Sequence, residues 1–526
     1  MQSAKQFRAI KGTRDILPPD SALWNWFERA ARDVFESYNF REIRTPIFEE
    51  TSLFARAVGA ETDIVHKEMY TFGEQAGGEL HEAQILVRNF QFTGNQSSDL
   101  KRFESCVADL LSKLDSFLAS EGAPSGISRE LLDHYRGLHA DLKNKIVVVD
   151  LAQVMEEIPW VVDQLKILSS HLPMGSTISL RPEATASVVR AYIEHGMQTL
   201  PGNQKLYYMG PMFRRERPQK GRYRQFYQIG GEVLGPSDAP AIDAEVIEIL
   251  LVFFQRVGLD RTTLYVNSIG CKKCRPNYVE LLRGELRKVK DALGPDSQRR
   301  IETNPLRVLD SKLPEEQDII ARLPRISDHL CDACREHFTK LKEELKLRNV
   351  AYEENWRLVR GLDYYTRTTF EVTAEGLGSQ NAVCGGGRYD GLVELLGGLP
   401  TKGIGFAVGS DRAILSIQEG GKLPQLQGLN VFVAWMGAKA YPAAVSITRR
   451  LRDAGLAVEL PPEEMKFKKS LGLADKLGAR YALILGEDEV ASGTYTLKRL
   501  ADAEQKKYSE SELLEYLESE RKGLQA

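Results

Sequence analysis

The stretch MFRRERPQKGRYRQF, Met212–Phe226, decides how the rest of the chain is read. Arg214, Arg215, Arg217, Lys220, Arg222 and Arg224 stand there against one acid, Glu216. Its flanks, LYYMGPMFRRE (206–216) and YRQFYQIGGEVLG (223–235), have the composition of strands, with Pro218, Lys220 and Gly221 between them. That pattern predicts an antiparallel hairpin with a basic loop at its tip. Three readings of the charge compete: a nucleic-acid patch, a site for a small polyphosphate, and a solvated loop. A planar guanidinium makes two parallel hydrogen bonds to phosphate oxygens, and Phe226 at the loop's end can stack on a base. Spacing alone does not separate ATP from RNA.

The totals narrow the choice. A formal net charge of -3 over 526 residues provides no global attraction to nucleic acid, so any such contact must come from local patches. With 42% apolar and 27% charged residues the chain reads as a soluble globular protein, long enough for about three or four domains. The opening MQSAKQFRAIKGTRD has no apolar run and is not a secretory signal. No window approaches the roughly 18 apolar residues of a membrane span. Six cysteines in so long a chain do not make a disulfide scaffold, and a reducing cytoplasm is the expected compartment.

Outward from the hairpin, residues 23–38 place Trp24, Phe27, Ala31 and Phe35 at helical spacing. FREIRTPIFEE (40–50) reads as extended, with Pro46 at an edge strand or strand start. Residues 243–256 read as a helix, TTLYVNSIG as a strand, and GIGFAVGSDRAILSI (403–417) as a strand running into a helix. Antiparallel patterning around Asp363 and Thr369 excludes a doubly wound core. Past Gly428, strands and helices alternate, which predicts a separate small α/β domain behind the linker SIQEGGKLPQLQG (416–428). Two segments interrupt the core. Residues 76–174 contain an amphipathic helix marked by Phe103, Val107, Leu110, Leu111, Leu114, Phe117 and Leu118, and residues 271–342 are mostly helical.

Five further clusters carry chemistry. In LRPEATAS (180–187), alternation along a strand would put Glu183 and Thr185 on one face, where a carboxylate and a hydroxyl suit an ammonium group; the alternative is a strand end turning at Pro182. In LVRGLDYYTRTTFEV (358–372), Gly361 beside Arg360 permits close backbone approach, and Tyr364 and Tyr365 either face a ligand or simply pack. The three glycines of CGGGRYDGL (384–392) cost conformational entropy and need a reason, either a ligand or a crowded sheet. No GxGxxG follows a parallel strand, which excludes a dinucleotide fingerprint. Arg412 stands near a helix start, placed either for a phosphate or for a surface ion pair. The pairs Cys271-Lys-Lys-Cys274 and Cys331-Asp-Ala-Cys334 offer four thiolates to a tetrahedral Zn²⁺, against ordinary or redox cysteines.

Taken in this order, the segments resemble class II aminoacyl-tRNA synthetases. FREIRTPIFEE looks like motif 1, the dimer-interface element; MFRRERPQKGRYRQF looks like motif 2, the ATP-binding hairpin; GIGFAVGSDRAIL looks like motif 3. Within that class LRPEATA, QIGGEVLG, LVRGLDYYTRT and GGGRYDGL resemble the histidyl-tRNA synthetase family. The resemblance implies an α+β fold: an antiparallel-sheet catalytic core with helical insertions and a C-terminal α/β anticodon-binding domain. Its expected division is core at 1–75, 175–270 and 343–420, insertions at 76–174 and 271–342, and the anticodon-binding domain at 428–526. It implies ligation of L-histidine to its tRNA, with ATP as substrate, Mg²⁺ on the phosphates and a homodimer.

Residue by residue, the resemblance gives Glu183 and Thr185 the α-amino group, Gln228 the carboxylate, and Glu232 and Tyr365 the imidazole, with Tyr364 lining the pocket. Arg214 and Arg360 bracket the reacting carboxylate and α-phosphate as the catalytic pair. Phe226 stacks on adenine, and Arg222 and Arg412 reach the outer phosphates. Lys498 and Arg499, on the last strand read from the sequence, face RNA or solvent. Two departures stand out: Ala184 where the family usually has glycine, and the long segment 76–174 where it has a short turn. A catalytically silent regulatory relative is disfavoured because the Arg360 segment and the C-terminal domain are both present, and a general RNA-binding module because the charge is confined to one hairpin.

Overall fold

The computed structural model describes residues 7–59, 62, 64–73, 177–375, 381–420, 423–424 and 428–525, with isolated positions at 105, 108, 109 and 112. The seven apolar residues that mark the expected amphipathic helix, Phe103 to Leu118, lie outside the described residues. The chain divides into two compact units, residues 1–16 with 27–422 and residues 17–26 with 423–526.

The larger unit is built on an eight-stranded sheet. Its strands in chain order are β1 (Arg41–Glu42), β5 (Gln204–Phe213), β6 (Gln225–Gly235), β7 (Thr262–Ser268), β8 (Glu353–Glu354), β9 (Thr366–Ala374), β10 (Ala382–Arg388) and β11 (Lys402–Gly409), with β2 (Phe48–Glu50), β3 (Tyr70–Gly73) and β4 (Thr177–Leu180) forming a small sheet of their own. The large sheet runs β1-β5-β6-β11-β10-β9-β7-β8. The six inner strands pair antiparallel, and parallel pairs occur only at the two edges. Alternation along β6 sorts its side chains. Gly231 faces Phe35, Phe40 and Phe406. There Phe35 stacks on Tyr207 at 4.8 Å, and Phe27 meets Phe253 of the helix Pro240–Arg256 at 5.0 Å. Phe226, Gln228 and Glu232 share the opposite face.

FREIRTPIFEE forms two short strands rather than one extended run, with Pro46 between them. The first five residues of the expected linker are helical, because Ser410–Gly420 continues through Ser416–Gly420. The helical segment holds Arg275–Lys288, Pro295–Thr303, Gln317–Ala321 and Asp332–Leu347, the last running past 342.

The second unit carries a five-stranded sheet of β12 (Val431–Trp435), β13 (Val458–Glu459), β14 (Tyr481–Leu485), β15 (Thr494–Arg499) and β16 (Gln505–Ser509), ordered β13-β12-β14-β15-β16. Val431, Val433, Leu483, Leu485 and Leu497 are buried in its core. The placement of Lys498 and Arg499 on a last, edge-type strand is corrected: β16 pairs beyond β15 and makes it an inner strand. Arg499 is occupied by Asp502 and Glu504, each at 3.2 Å.

Candidate active site

β4 ends at Leu180 and the helix Thr185–Glu194 begins five residues later. Glu183 and Thr185 therefore do not alternate along one strand; a strand-to-helix turn brings them together. The Glu183 carboxylate accepts the backbone N–H groups of Thr185 at 2.7 Å and Ala186 at 2.9 Å, an acid placed on a helix N-terminus. Arg181 braces the turn from beneath, donating to the Pro211 carbonyl and to Thr45. Ala184 is fully buried in the core and its methyl does not line the cavity.

The Thr185 hydroxyl donates to Glu232 at 2.7 Å, and the Tyr389 hydroxyl donates to the same carboxylate at 2.6 Å. Glu232 is 1% exposed. Burial pushes its carboxyl up to about 8, against those two hydroxyls and with Glu183 adding to the rise. Gly405 pairs with Glu232 across the sheet, and a Cβ there would lie 1.7 Å from the carboxylate. Aromatic rings close this end: Tyr364 lies 4.7 Å from Tyr365 and 5.8 Å from Tyr389.

The pocket opens into a cavity of about 320 Å³. Glu183, Thr185, Gln228, Tyr364 and Tyr365 line one part; Arg214, Arg222, Phe226, Arg360 and Arg412 line the rest. Glu232 alone among these candidates stands back from the surface, behind Thr185 and Tyr389. Arg360 is held by Glu371 at 2.5 Å. A Cβ on Gly385 would lie 2.0 Å from its guanidinium, so one of the three glycines clears the space this arginine occupies. The next, Gly386, is pressed by the Gly405 carbonyl and Phe370. Both glycines make room for the protein itself, a side chain at Gly385 and a crowded sheet at Gly386. The Arg360 Nε and the Gln228 Oε1 are buried with no hydrogen-bond partner among the described residues.

Arg214 donates to the Pro182 carbonyl at 2.9 Å and lies 5.2 Å over the Phe226 ring. Glu216 sits between Arg214 at 3.7 Å and Arg222 at 3.2 Å. Among the described residues Arg412 forms no ion pair; its guanidinium donates to the Ala382 and Gly221 carbonyls, and burial lowers its pKa. The hairpin tip is pinned. Arg224 donates its N–H to the Gly12 carbonyl, Arg215 its N–H to the Glu68 carbonyl, and Lys220 pairs with Glu419 at 2.6 Å. Asp411 receives the Tyr227 N–H at 2.9 Å and Arg14 at 2.8 Å. Tyr389, Glu371 and Asp411 escape the sequence reading. Tyr389 stands inside GGGRYD, where nothing local distinguishes it from a packing aromatic.

The four cysteines converge. Cys271 lies 3.9 Å from Cys274 and 3.8 Å from Cys331, Cys274 lies 3.8 Å from Cys334, and all four sulfurs fall within 4.8 Å of one another. The edge of a tetrahedron with Zn–S bonds of about 2.3 Å is about 3.8 Å, whereas a disulfide needs about 2.05 Å. The donor set and spacing fit a tetrahedral thiolate ion.

The family model for histidyl-tRNA synthetases matches residues 165–413, and an anticodon-binding domain model matches residues 430–520. The histidine–tRNA ligase of Koribacter versatilis is 45% identical over 514 residues, covering 97% of this chain and 96% of that protein. That of Solibacter usitatus is 43% identical, covering 97% and 99%. The crystal structure of apo Staphylococcus aureus histidyl-tRNA synthetase superposes with a TM-score of 0.66 at 30% identity, covering 98% of this chain and all of that one.

Proposed function

Because the chain belongs to the histidyl-tRNA synthetase family, we propose a division of labour within its cavity for the ligation of L-histidine to its tRNA. The reaction runs in two steps. The histidine carboxylate attacks the α-phosphorus of ATP and pyrophosphate leaves; a terminal hydroxyl of the tRNA then attacks the carbonyl of the histidyl-adenylate and AMP leaves. The substrate brings its own nucleophile, so the protein positions groups and stabilises charge. Glu183 and Thr185 hold the α-amino group, Gln228 orients the carboxylate, and Glu232 with Tyr365 reads the imidazole beside Tyr364. Arg360 and Arg214 face the α-phosphate from two sides. Phe226 stacks on adenine while Arg222 and Arg412 take the outer phosphates. Mg²⁺ comes with ATP and would neutralise charge on its phosphates; Glu216 and Glu371, which line the same cavity and now face arginines, are the carboxylates that would hold it.

The observation that carries this reading is one cavity joining a buried carboxylate and tyrosine pocket to four arginines. ATP–pyrophosphate exchange should require histidine and respond to no other amino acid; exchange without histidine would defeat the assignment.

The tRNA acceptor end enters beside motif 2. A second cavity of about 520 Å³ shares Arg214, Glu216 and Arg222 with the first and adds Lys67, Arg299 and Arg307. The domain 428–526 reads the anticodon, the core is formed by 1–75, 175–270 and 343–420, and segment 76–174 is an insertion. Among the described residues no helix is long and apolar enough to cross a membrane, and we place the reaction in the cytoplasm. The enzyme is a homodimer in this reading. Ile47, Phe48 and Phe72 are about half exposed on or beside the small sheet, an apolar surface suited to a second copy. Phe48→Asp with Phe72→Asp should convert a dimer to a monomer by light scattering, and a wild-type monomer would refute the dimer.

Cys271, Cys274, Cys331 and Cys334 hold one structural Zn²⁺. Elemental analysis of protein purified without chelator should find about one zinc per chain, and Cys331→Ala with Cys334→Ala should remove it.

A further inference from the structure

The four sulfurs are tied to the histidine pocket by two separate hydrogen-bonded links. The first is a side chain. Arg275 opens the helix that Cys274 caps, donates its own N–H to the Cys271 carbonyl at 2.9 Å, and reaches with its guanidinium to the Tyr365 carbonyl at 2.6 Å. The second is backbone. The Ile269 N–H donates to the Arg367 carbonyl, and the Arg367 N–H donates to the Gly270 carbonyl, both at 2.8 Å.

This junction is tight. Gly270 has φ +70° and a Cβ there would lie 2.9 Å from the Cys274 sulfur. Arg367 holds φ 51°, a left-handed conformation that costs a residue with a side chain. It sits where β9 and β10 lose register, between the Gly387–Thr369 and Arg388–Thr366 pairs. A non-glycine residue persists there only because its surroundings hold it: the turn that begins the first cysteine pair holds its backbone, and Asp238 at 2.7 Å holds its side chain. Tyr365 is two residues upstream, buried and on the cavity wall.

We infer that the four-cysteine site is a positioning device for the histidine pocket: the bound ion fixes the 269–275 turn, and Arg275 with the Gly270–Arg367 pair transmits that position to Tyr365. This rests on the reading that the sulfurs hold an ion. The adenine and outer-phosphate contacts, Phe226, Arg222 and Arg412, lie on the hairpin and on the helix Ser410–Gly420; of the phosphate contacts only Arg360 shares the Tyr365 segment, and Glu371 holds it separately, so the effect falls chiefly on histidine. Arg275 touches no substrate and acts through Tyr365.

The test uses the full chain with exchange kinetics, zinc content and thermal melting side by side. Arg275→Met should keep its zinc and raise the histidine KM by roughly tenfold, with the ATP KM little changed; Arg275→Lys should recover part of the loss. Stripping the ion with a mercurial and a chelator should raise the histidine KM in the wild type, and zinc added back with reductant should restore it. A preparation holding no zinc overturns the earlier reading of the sulfurs and the metal's leverage with it. A zinc-loaded protein whose histidine KM ignores both the ion and Arg275 overturns the coupling alone. An equal rise in both KM values also overturns it, since that marks general loosening of the fold.

Discussion

Arg360→His should lower histidine-dependent ATP–pyrophosphate exchange by about two to three orders of magnitude while ATP still binds, because a donor aimed at developing charge acts on the transition state more than on the ground state. Arg360 lines the cavity, its Nη1 is fixed by Glu371 at 2.5 Å, and its Nε is buried with no partner among the described residues. Nη1 is thus spent on alignment, and the part of the side chain that stays exposed, about a quarter, is what faces the cavity. A histidine is too short to keep both. The loss should appear in kcat with the ATP KM nearly constant. A companion variant tests the same placement without touching the arginine. Gly385→Ala puts a methyl 2.0 Å from the guanidinium, on a strand whose backbone is paired on both sides, so Arg360 must move. It should reproduce most of the exchange defect. Near-normal exchange in Arg360→His would remove this residue from the chemistry, and a normal Gly385→Ala would show that the arginine reaches its target by another route.

The placement of these groups was legible in the sequence wherever local periodicity decides it. Alternation along a regular hairpin strand is enough to put Phe226, Gln228 and Glu232 on one face of β6. The same rule failed at Glu183 and Thr185, because β4 stops at Leu180 and the periodicity changes from that of a strand to that of a helix within a few residues. Contacts distant in sequence were beyond reach. Tyr389 donates to a carboxylate 157 residues away, and Arg412 to a carbonyl 191 residues away. No local pattern encodes either. The cysteine pairs show the intermediate case. Their spacing is longer than in compact zinc motifs, so the sequence left the metal open. The fold carries Cys331 back across 60 residues to within 3.8 Å of Cys271. The glycine run needed a reason that sequence could pose but not choose, since Gly385 yields to a side chain and Gly386 to a neighbouring backbone.

Glu232→Gln should raise the histidine KM by about two orders of magnitude, since a buried hydrogen bond to a charged group contributes roughly 1.5–3 kcal/mol. Glutamine keeps the volume beside Gly405 and can still meet the Thr185 and Tyr389 hydroxyls, so the fold should survive. It cannot ionise, and that is the decisive difference. Burial holds the Glu232 carboxyl at about 8, far above the usual 4.5. At pH 7 it is mainly protonated before histidine arrives. An imidazole N–H is best accepted by the ionised carboxylate, so binding draws the proton off. The sign follows: histidine binds more tightly as pH rises toward about 8 and levels off above it. Free imidazole titrates near 6.5, so the clean window opens at about pH 7.5, where roughly nine-tenths of the ring is neutral, and closes at about pH 8.5, before the substrate's ammonium group loses much of its charge. Over that range the wild-type histidine KM should fall and then flatten, and the Glu232→Gln variant should lose the slope. Calorimetry in buffers of different ionisation enthalpy supplies the independent reading: proton release on histidine binding at pH 7 in the wild type, reduced in the variant. A wild-type KM that is flat across the window, or a variant that keeps both the slope and tight binding, would take the imidazole away from Glu232 and leave Tyr365 as the reader.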